Sequence, residues 1–180
     1  MTRTLCFMFA GLLAAGTAQL GAQARKATNN KLSPSASTSM DLGGHKVTID
    51  YNAPSARGRK VEGGLIPYGE VWRTGADAAT TLTTDADLAI DDLKVPKGVY
   101  TIYTLADKDG WLLIVNKQTG QWGTEYDAGQ DLGRVPLKVT TLAAPVEKLE
   151  LSLKGGGPAS GTYEMRWGTS EATVPIKLAQ

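Results

Sequence analysis

VYTIYTLADKDGWLLIV, residues 99–115, is the stretch of this 180-residue chain that decides its fold. Two runs rich in β-branched, aromatic and other apolar residues, 99–105 and 111–115, flank a five-residue loop from Ala106 to Gly110. Runs of this kind around a short loop that ends in Asp-Gly are typical of a β-hairpin. The second run is apolar throughout, which predicts a central strand that is buried on both faces.

Short strand patterns recur along the rest of the chain, without a helical period. Segments of alternating or β-branched residues are separated by turns that contain Gly, Pro or Asp. These segments are 45–51, 80–84, 149–153, 163–167 and 172–178. We therefore predict an all-β protein, an antiparallel β-sandwich of the jelly-roll or Greek-key type.

Residues 1–24 have the three parts of a cleavable secretory signal peptide. Arg3 is their only charge, a mostly apolar run covers 5–20, and the triplet Ala22-Gln23-Ala24 offers small residues for cleavage. A retained membrane anchor is the alternative, but this run of about 16 residues is shorter than the ~20 that span a bilayer. We expect a periplasmic or secreted protein with no membrane attachment after cleavage.

The mature chain is predicted to be a single domain with a short leader. Residues 25–44 are rich in Ser, Thr, Asn and Gly and poor in apolar side chains, which indicates a flexible lead-in. Residues 45–180 are then one β-sandwich domain, because a chain of this length supports a single core.

Charge and cysteine content exclude several classes of partner and cofactor. The 19 Lys+Arg and 18 Asp+Glu become 18 and 18 once Arg3 is removed, so the mature chain is neutral. A neutral chain has no excess of positive charge for phosphates, which argues against nucleic acid as a partner. The only cysteine, Cys6, is lost with the signal peptide, and one histidine without cysteine does not make a zinc site. We predict no disulfide, no metal and no other cofactor.

Two long segments, 52–77 and 116–133, do not fit the strand pattern. Irregular segments of this length are uncommon in a compact domain and are often functional. Aromatic rings beside an arginine and acidic residues suit sugars and carboxylated small molecules. The candidate ligand-binding residues are Tyr68, Trp72, Arg73, Asp77, Trp122 and Tyr126. They favour a non-catalytic module that binds a small polar or carbohydrate-like ligand.

Two other functions are open for the same loops. A periplasmic hydrolase would use loop carboxylates such as Glu70 and Asp77, since glycosidases need two carboxyl groups about 5–10 Å apart. A Ser-His-Asp triad would depend on His45 and Ser55, without a G-x-S-x-G elbow. A structural or partner-binding envelope domain would instead bury Trp72 and pair the loop acids with loop arginines. Those arginines are Arg57, Arg59, Arg73 and Arg134.

One long motif in the first irregular segment is specific, PYGEVWRTGAD at 67–77. PSARGR at 54–59 precedes it, and VPKGVYT at 95–101 follows it. The further matching residues are Trp111, Asn116, Lys117, Trp122 and Gly123. Over about 41–178 the chain resembles the bacterial domain-of-unknown-function family 2911, with Asp77 where Asn is expected. The resemblance implies an exported β-rich domain and supplies no activity and no catalytic residues.

Overall fold

A computed structural model describes residues 33–179. The predicted signal peptide and the first part of the predicted lead-in lie outside the described residues. The strands are β1 (Ser35–Leu42), β2 (His45–Asn52), β3 (Val71–Trp72), β4 (Thr81–Thr84), β5 (Leu88–Ile90), β6 (Leu93–Val95), β7 (Gly98–Ala106), β8 (Trp111–Asn116), β9 (Asp131–Gly157) and β10 (Ser160–Leu178). A short 3-10 turn spans Ala128–Gln130. In this part of the chain no helix is long and apolar enough to cross a membrane.

The strands form one antiparallel path in the order β1-β2-β4-β7-β8-β9-β10-β5-β6, with β3 added to β7. After β4 the chain forms β5 and β6 at the far end of this path and returns to β7 beside β4, a crossover of the Greek-key type. β9 belongs to both halves of the path, because its residues 131–137 pair with β8 and its later residues pair with β10. The halves meet where Leu153 N–H donates to Thr38 Oγ1 at 3.1 Å. The predicted antiparallel β-sandwich is confirmed.

The central hairpin forms as predicted, with one change in its loop. β7 and β8 pair up to Ala106 and Trp111, so the loop has four residues rather than five. Asp107 N–H closes it by donating to Gly110 O at 3.0 Å. β8 lies between β7 and β9, and its residues 113–115 are each at most 2% exposed. The predicted central, doubly buried strand is confirmed.

The predicted flexible lead-in is wrong for residues 35–42, which form β1 and pair with β2 along their full length. A two-residue turn joins the strands, with φ 61° at Gly43 and 88° at Gly44. Glycine adopts such angles without strain, and a two-residue turn with both angles positive is a favoured hairpin connection. The segment is poor in apolar residues because only its last alternating pair, Met40 and Leu42, is buried.

The core lies between the two halves of the sandwich. Alternate residues of β9 and β10 contribute to it, each at most 7% exposed: Leu149, Leu151, Leu153, Tyr163, Met165 and Trp167. Trp72 joins this core from the first irregular segment. That segment is therefore anchored to the sandwich near its C-terminal end.

Candidate functional site

The two irregular segments form loops that contact each other. The first loop covers 53–80 and contains β3, and the second loop covers 117–130 and contains the 3-10 turn. Gly123 N–H in the second loop donates to Asp77 O in the first at 3.0 Å. A Cβ at position 123 would lie 2.8 Å from that same oxygen. The close approach of the two backbones therefore requires glycine.

Trp72 connects the first loop to the core. Its backbone pairs with Thr104 of β7, and its ring stacks on Trp167 with centroids 5.7 Å apart and planes at 20°. Trp167 is fixed in turn, because its Nε1–H donates to Glu147 O at 3.0 Å. The two rings are only 8% and 2% exposed, so they form a rigid aromatic floor beneath the loop.

The residues that follow Arg73 hold the loop in an unusual backbone conformation. Thr74 has φ 51°, a left-handed value that is rare for a β-branched residue, and it is fully buried. Its Oγ1 lies 2.8 Å from Thr104 Oγ1, and its carbonyl accepts from Thr80 Oγ1 at 3.0 Å. A Cβ at Gly75 would lie 2.8 Å from Thr80 Oγ1. Buried hydrogen bonds and close packing thus compensate the strain and fix the position of Arg73.

A cavity of about 290 Å³, which we call the arginine pocket, lies beside the aromatic floor. Trp72 and Trp167 both border it. Its charged lining residues are Arg57, Arg59, Arg73 and Asp77. The lining therefore carries three positive charges against one negative charge, in a chain whose 180 residues have a formal net charge of only +1.

Two of these arginines are oriented by carbonyl oxygens. Arg59 donates from Nε and Nη2 to Ala56 O and Ser55 O, each at 2.9 Å. Arg73 donates from Nε to Gly75 O at 3.3 Å. Within residues 33–179 neither side chain pairs with a carboxylate. A purely structural envelope domain would be expected to pair these arginines with loop acids. A neutral acceptor orients a guanidinium group without cancelling its charge.

Left-handed backbone angles concentrate in the first loop. Four non-glycine residues of the described part have positive φ, and three of them are Arg57 (52°), Thr74 (51°) and Asp77 (60°). The fourth, Asp91, lies in the turn between β5 and β6. Strained residues persist where the surrounding structure imposes them, and they cluster at functional sites. Asp and Asn both tolerate this conformation, which explains why Asp77 replaces the expected Asn without disturbing the loop.

Three of the predicted ligand-binding residues meet at the arginine pocket: Trp72, Arg73 and Asp77. A second cavity of about 500 Å³, the outer cleft, shares Trp72 and Arg73 with the pocket and is also lined by Glu70 and Tyr126. Glu70 and Asp77 therefore line different cavities. Hydrolysis of a glycosidic bond by two carboxyl groups needs both of them beside that bond, and the positions of these two acids do not support it.

The other two predicted residues, Tyr68 and Trp122, line neither cavity. The ring of Tyr68 covers Gly63, where a Cβ would lie 2.7 Å from the ring atom Cε2. The side chain of Trp122 is turned outward with 52% exposure, while its backbone bridges to Ala78. Both residues shape the loops, and their predicted ligand contacts gain no support from these positions.

Tyr126 holds the second loop against the sheet. Its hydroxyl donates to Asp131 Oδ2 at 2.7 Å and accepts from Arg134 Nη2 at 2.9 Å. Its ring meets Tyr103 edge-on with centroids 4.9 Å apart. Burial and the hydrogen bond to Asp131 raise the pKa of Tyr126 to about 12, so the phenol stays protonated at neutral pH. Arg134 pairs with Asp131 at 2.8 Å, which is the kind of ion pair expected of a purely structural envelope domain.

His45 and Ser55 do not form a catalytic pair. His45 begins β2, whereas Ser55 follows the far end of that eight-residue strand. The imidazole lies instead beside Asp85, with Nδ1 and Oδ1 3.2 Å apart. Among the described residues there is also no group of three or more His, Cys, Asp or Glu that could hold a metal ion.

Glu62 attaches the first loop to β10. Its Oε1 accepts from Thr169 N–H and from Ser170 Oγ, each at 2.9 Å. Burial raises the pKa of Glu62, but these bonds and one from its own backbone outweigh burial, so the pKa lies below its usual 4.5. Because the folded-state pKa is depressed, the stabilisation is present above the unfolded value and is lost as pH falls through the folded pKa.

We expect Glu62→Gln to lower the free energy of unfolding by about 1 kcal/mol at neutral pH, because charge-assisted bonds become neutral ones. Urea unfolding should show this difference from wild type shrinking as the pH falls below the usual carboxyl pKa of 4.5. Glu125→Gln, at an exposed position in the second loop, is the control and should show no such trend. A difference for Glu62→Gln that stays constant with pH would contradict the role of the charge.

Arg57, Arg59 and Trp167 line the pocket although the sequence pattern assigns them only structural roles. The local signal for the two arginines is the Arg-Gly-Arg triplet, in which Gly58 has φ 72° and the turn brings both arginines to one cavity. Nothing local signals Trp167, which reaches the pocket only because β10 packs beneath the first loop.

Comparison with known proteins agrees with the motifs at 54–59 and 67–77. No curated protein and no solved structure gives a match. The model of the family described as "Protein of unknown function (DUF2911)" matches residues 33–176. This range includes nearly all ten strands and both loops that border the arginine pocket. The resemblance seen in the sequence is confirmed, and the chain belongs to the DUF2911 family.

Proposed function

We propose that this protein is an exported, non-catalytic module that binds a small polar or carbohydrate-like ligand in the arginine pocket. The observation that carries the proposal is the chemistry of the lining: three guanidinium groups and a carboxylate converge beside the buried ring of Trp72. Small-molecule sites typically combine a preformed concave surface with a few convergent polar groups.

Arg73 is the central residue of this proposal. In the described part of the chain, the bond from Nε to Gly75 O is the one hydrogen bond of its side chain, so Nη1 and Nη2 have no protein acceptor. The side chain borders both cavities. A planar guanidinium that is held at its base and open at its end suits bidentate recognition of a ligand.

The size of the pocket limits the ligand. Its volume of about 290 Å³ lies at the lower end of the ~300–1,000 Å³ that is usual for ligand sites. This supports one small molecule rather than a section of a polymer. A monosaccharide-sized compound would also reach the outer cleft past the shared residues Trp72 and Arg73.

Location outside the cytoplasm belongs to the same proposal. It is supported by Arg3, the apolar run at 5–20 and the small residues at 22–24. Such a location would expose the pocket to the small molecules of the envelope or the medium.

A structural or partner-binding envelope domain is the second candidate function. The burial of Trp72 and the hydrogen bonds of Tyr126 favour it, because both residues stabilise the loops themselves. In this case Arg73 would serve only to hold the first loop through Gly75.

Arg73→Ala separates these two candidates. We expect ligand affinity to fall about tenfold or more, since a charge-assisted contact is lost. Stability should fall by only about 1 kcal/mol, because the partner left behind is a carbonyl and not a buried carboxylate. Urea unfolding measures the second quantity. Thermal-shift titration with a panel of monosaccharides and small organic acids measures the first, because a ligand that binds only the native state raises its stability.

Trp122→Ala is the matched control, because this half-exposed ring in the neighbouring loop lies outside the pocket. It should bind like wild type. Undiminished binding by Arg73→Ala would remove the proposal. A stability loss of about 3–5 kcal/mol, with no binder found for wild type, would favour the structural candidate instead.

A further inference from the structure

We infer that the ligand of the arginine pocket is a small organic anion that presents a carboxylate or a phosphate group to the guanidinium groups. This inference rests on the proposed function and specifies its ligand class. It is carried by the balance of donors and acceptors in the lining, by the local charge and by the fixed position of the arginines.

Hydrogen-bond donors dominate the lining of the pocket. A guanidinium group has five N–H donors and no acceptor. Three such groups line the pocket, and Asp77 is the one carboxylate among the lining residues. Arg59 uses Nε and Nη2 on carbonyl oxygens and Arg73 uses Nε, but the remaining guanidinium N–H groups of these two arginines have no acceptor among the described residues. A sugar hydroxyl brings a further donor to this surface along with its acceptor. Carboxylate and phosphate oxygens only accept, and they complement a donor-rich surface.

The positive charge is local to this site. The lining carries a net charge of +2, from three arginines and one aspartate, whereas the mature chain has 18 positive and 18 negative residues. The excess therefore does not reflect a basic protein. Trp72 and Trp167 exclude water from one side of the pocket, where Arg73 is half-buried, whereas Arg57 and Arg59 are exposed. Charge interactions are stronger where solvent is excluded, so Arg73 is expected to contribute most.

Two of the three arginines, Arg59 and Arg73, are oriented before any ligand arrives. For Arg57 it is the backbone that is fixed: φ is left-handed, and its N–H donates to Glu147 Oε1 at 2.7 Å. The bonds of Arg59 to Ser55 O and Ala56 O fix the next arginine along the chain. Rigid groups lose little entropy when they bind, so this arrangement favours recognition of a compact charged group.

Isothermal titration calorimetry with matched probes tests the inference. Glucose, glucuronate and glucose 6-phosphate share one ring and differ in charge, and acetate and inorganic phosphate are the isolated head groups. We expect at least one of glucuronate and glucose 6-phosphate to bind about tenfold or more tightly than glucose. Comparison of the two distinguishes a carboxylate site from a phosphate site. Raising the NaCl concentration from about 0.05 to 0.5 M should weaken this binding, because salt screens charge interactions.

Two substitutions that change the charge of the lining in opposite directions test whether a loss of binding is due to charge or to damage to the fold. Arg59→Gln should weaken anion binding about tenfold, whereas Asp77→Asn should strengthen it about threefold, since one removes a positive and the other a negative charge from the lining. Lys117→Gln removes an exposed positive charge outside the pocket and should change nothing. General damage to the fold would weaken binding in both pocket variants.

The outcomes separate this inference from the proposed function. Binding of glucose as tight as that of both anionic sugars would overturn the inference and leave the proposed function standing. If none of the five probes binds at about 10 mM, a concentration above a Kd of about 1 mM, both the inference and the proposed function are overturned. Weaker anion binding by Asp77→Asn would also contradict the inference.

Discussion

Trp167→Ala is expected to lower the free energy of unfolding by about 3–5 kcal/mol. The indole is almost fully buried, stacks on Trp72 and donates to Glu147 O. Its removal would leave a cavity beneath the first loop and an unsupported Trp72 ring, while Glu147 O would keep only its bond from Ala56 N–H. Urea unfolding followed by circular dichroism measures the loss without depending on tryptophan fluorescence.

Trp122→Ala supplies the matched control for this prediction. It removes the same side chain from a half-exposed position, while its backbone bridge to Ala78 does not depend on the side chain. We expect a change within about 0.5 kcal/mol, as for most surface substitutions. Equal losses for the two variants would show that the aromatic floor is not what supports the loop.

Asn116→Ala is expected to cost about 2–4 kcal/mol, because it removes three hydrogen bonds of a buried side chain and leaves Gln118 N–H and Asp131 Oδ1 without the partner they have here. The Asn116 amide nitrogen donates to Asp127 O and to Asp131 Oδ1, both at 2.9 Å. Its Oδ1 accepts from Gln118 N–H at 2.9 Å. One fully buried side chain thus connects both ends of the second loop.

Urea unfolding measures this loss, and hydrogen exchange in 117–130 should show that the loop opens more often than in wild type. Lys117→Ala is the control, because its side chain is exposed and its backbone N–H still donates to Gln130 O. A loss for Asn116→Ala no larger than that for Lys117→Ala would mean that the amide does not organise the loop.

The fold could be predicted where its information is local. The β7–β8 hairpin follows from two apolar runs and an Asp-Gly turn that lie within 99–115. β1 could not be recognised in this way, because only Met40 and Leu42 are buried and the strand is defined by its partner β2. The glycines at 43 and 44 were the local signal for that hairpin.

The candidate site could be predicted only in part, for a related reason. Trp72, Arg73 and Asp77 belong to one conspicuous segment, and they do meet at one pocket. The bonds that fix the loop are distant in the chain: Glu62 and Thr169 are 107 residues apart. Contacts between residues so far apart leave no periodic pattern in the sequence. From the sequence alone, the exposed Trp122 therefore looks as much like a ligand-binding residue as Trp72 does.

Because β9 is shared, the two halves of the sandwich are one cooperative unit. Residues 131–137 complete one half and the remainder of the strand completes the other, so neither half can open without disturbing the same strand. The bond from Leu153 to Thr38 closes a separation of 115 residues. Such non-local contacts slow folding, because a long loop must be ordered before the contact forms. The β1–β2 hairpin thus stays uncovered until most of the chain is available. For the exported protein that we propose, this high contact order would delay compaction until translocation is nearly complete.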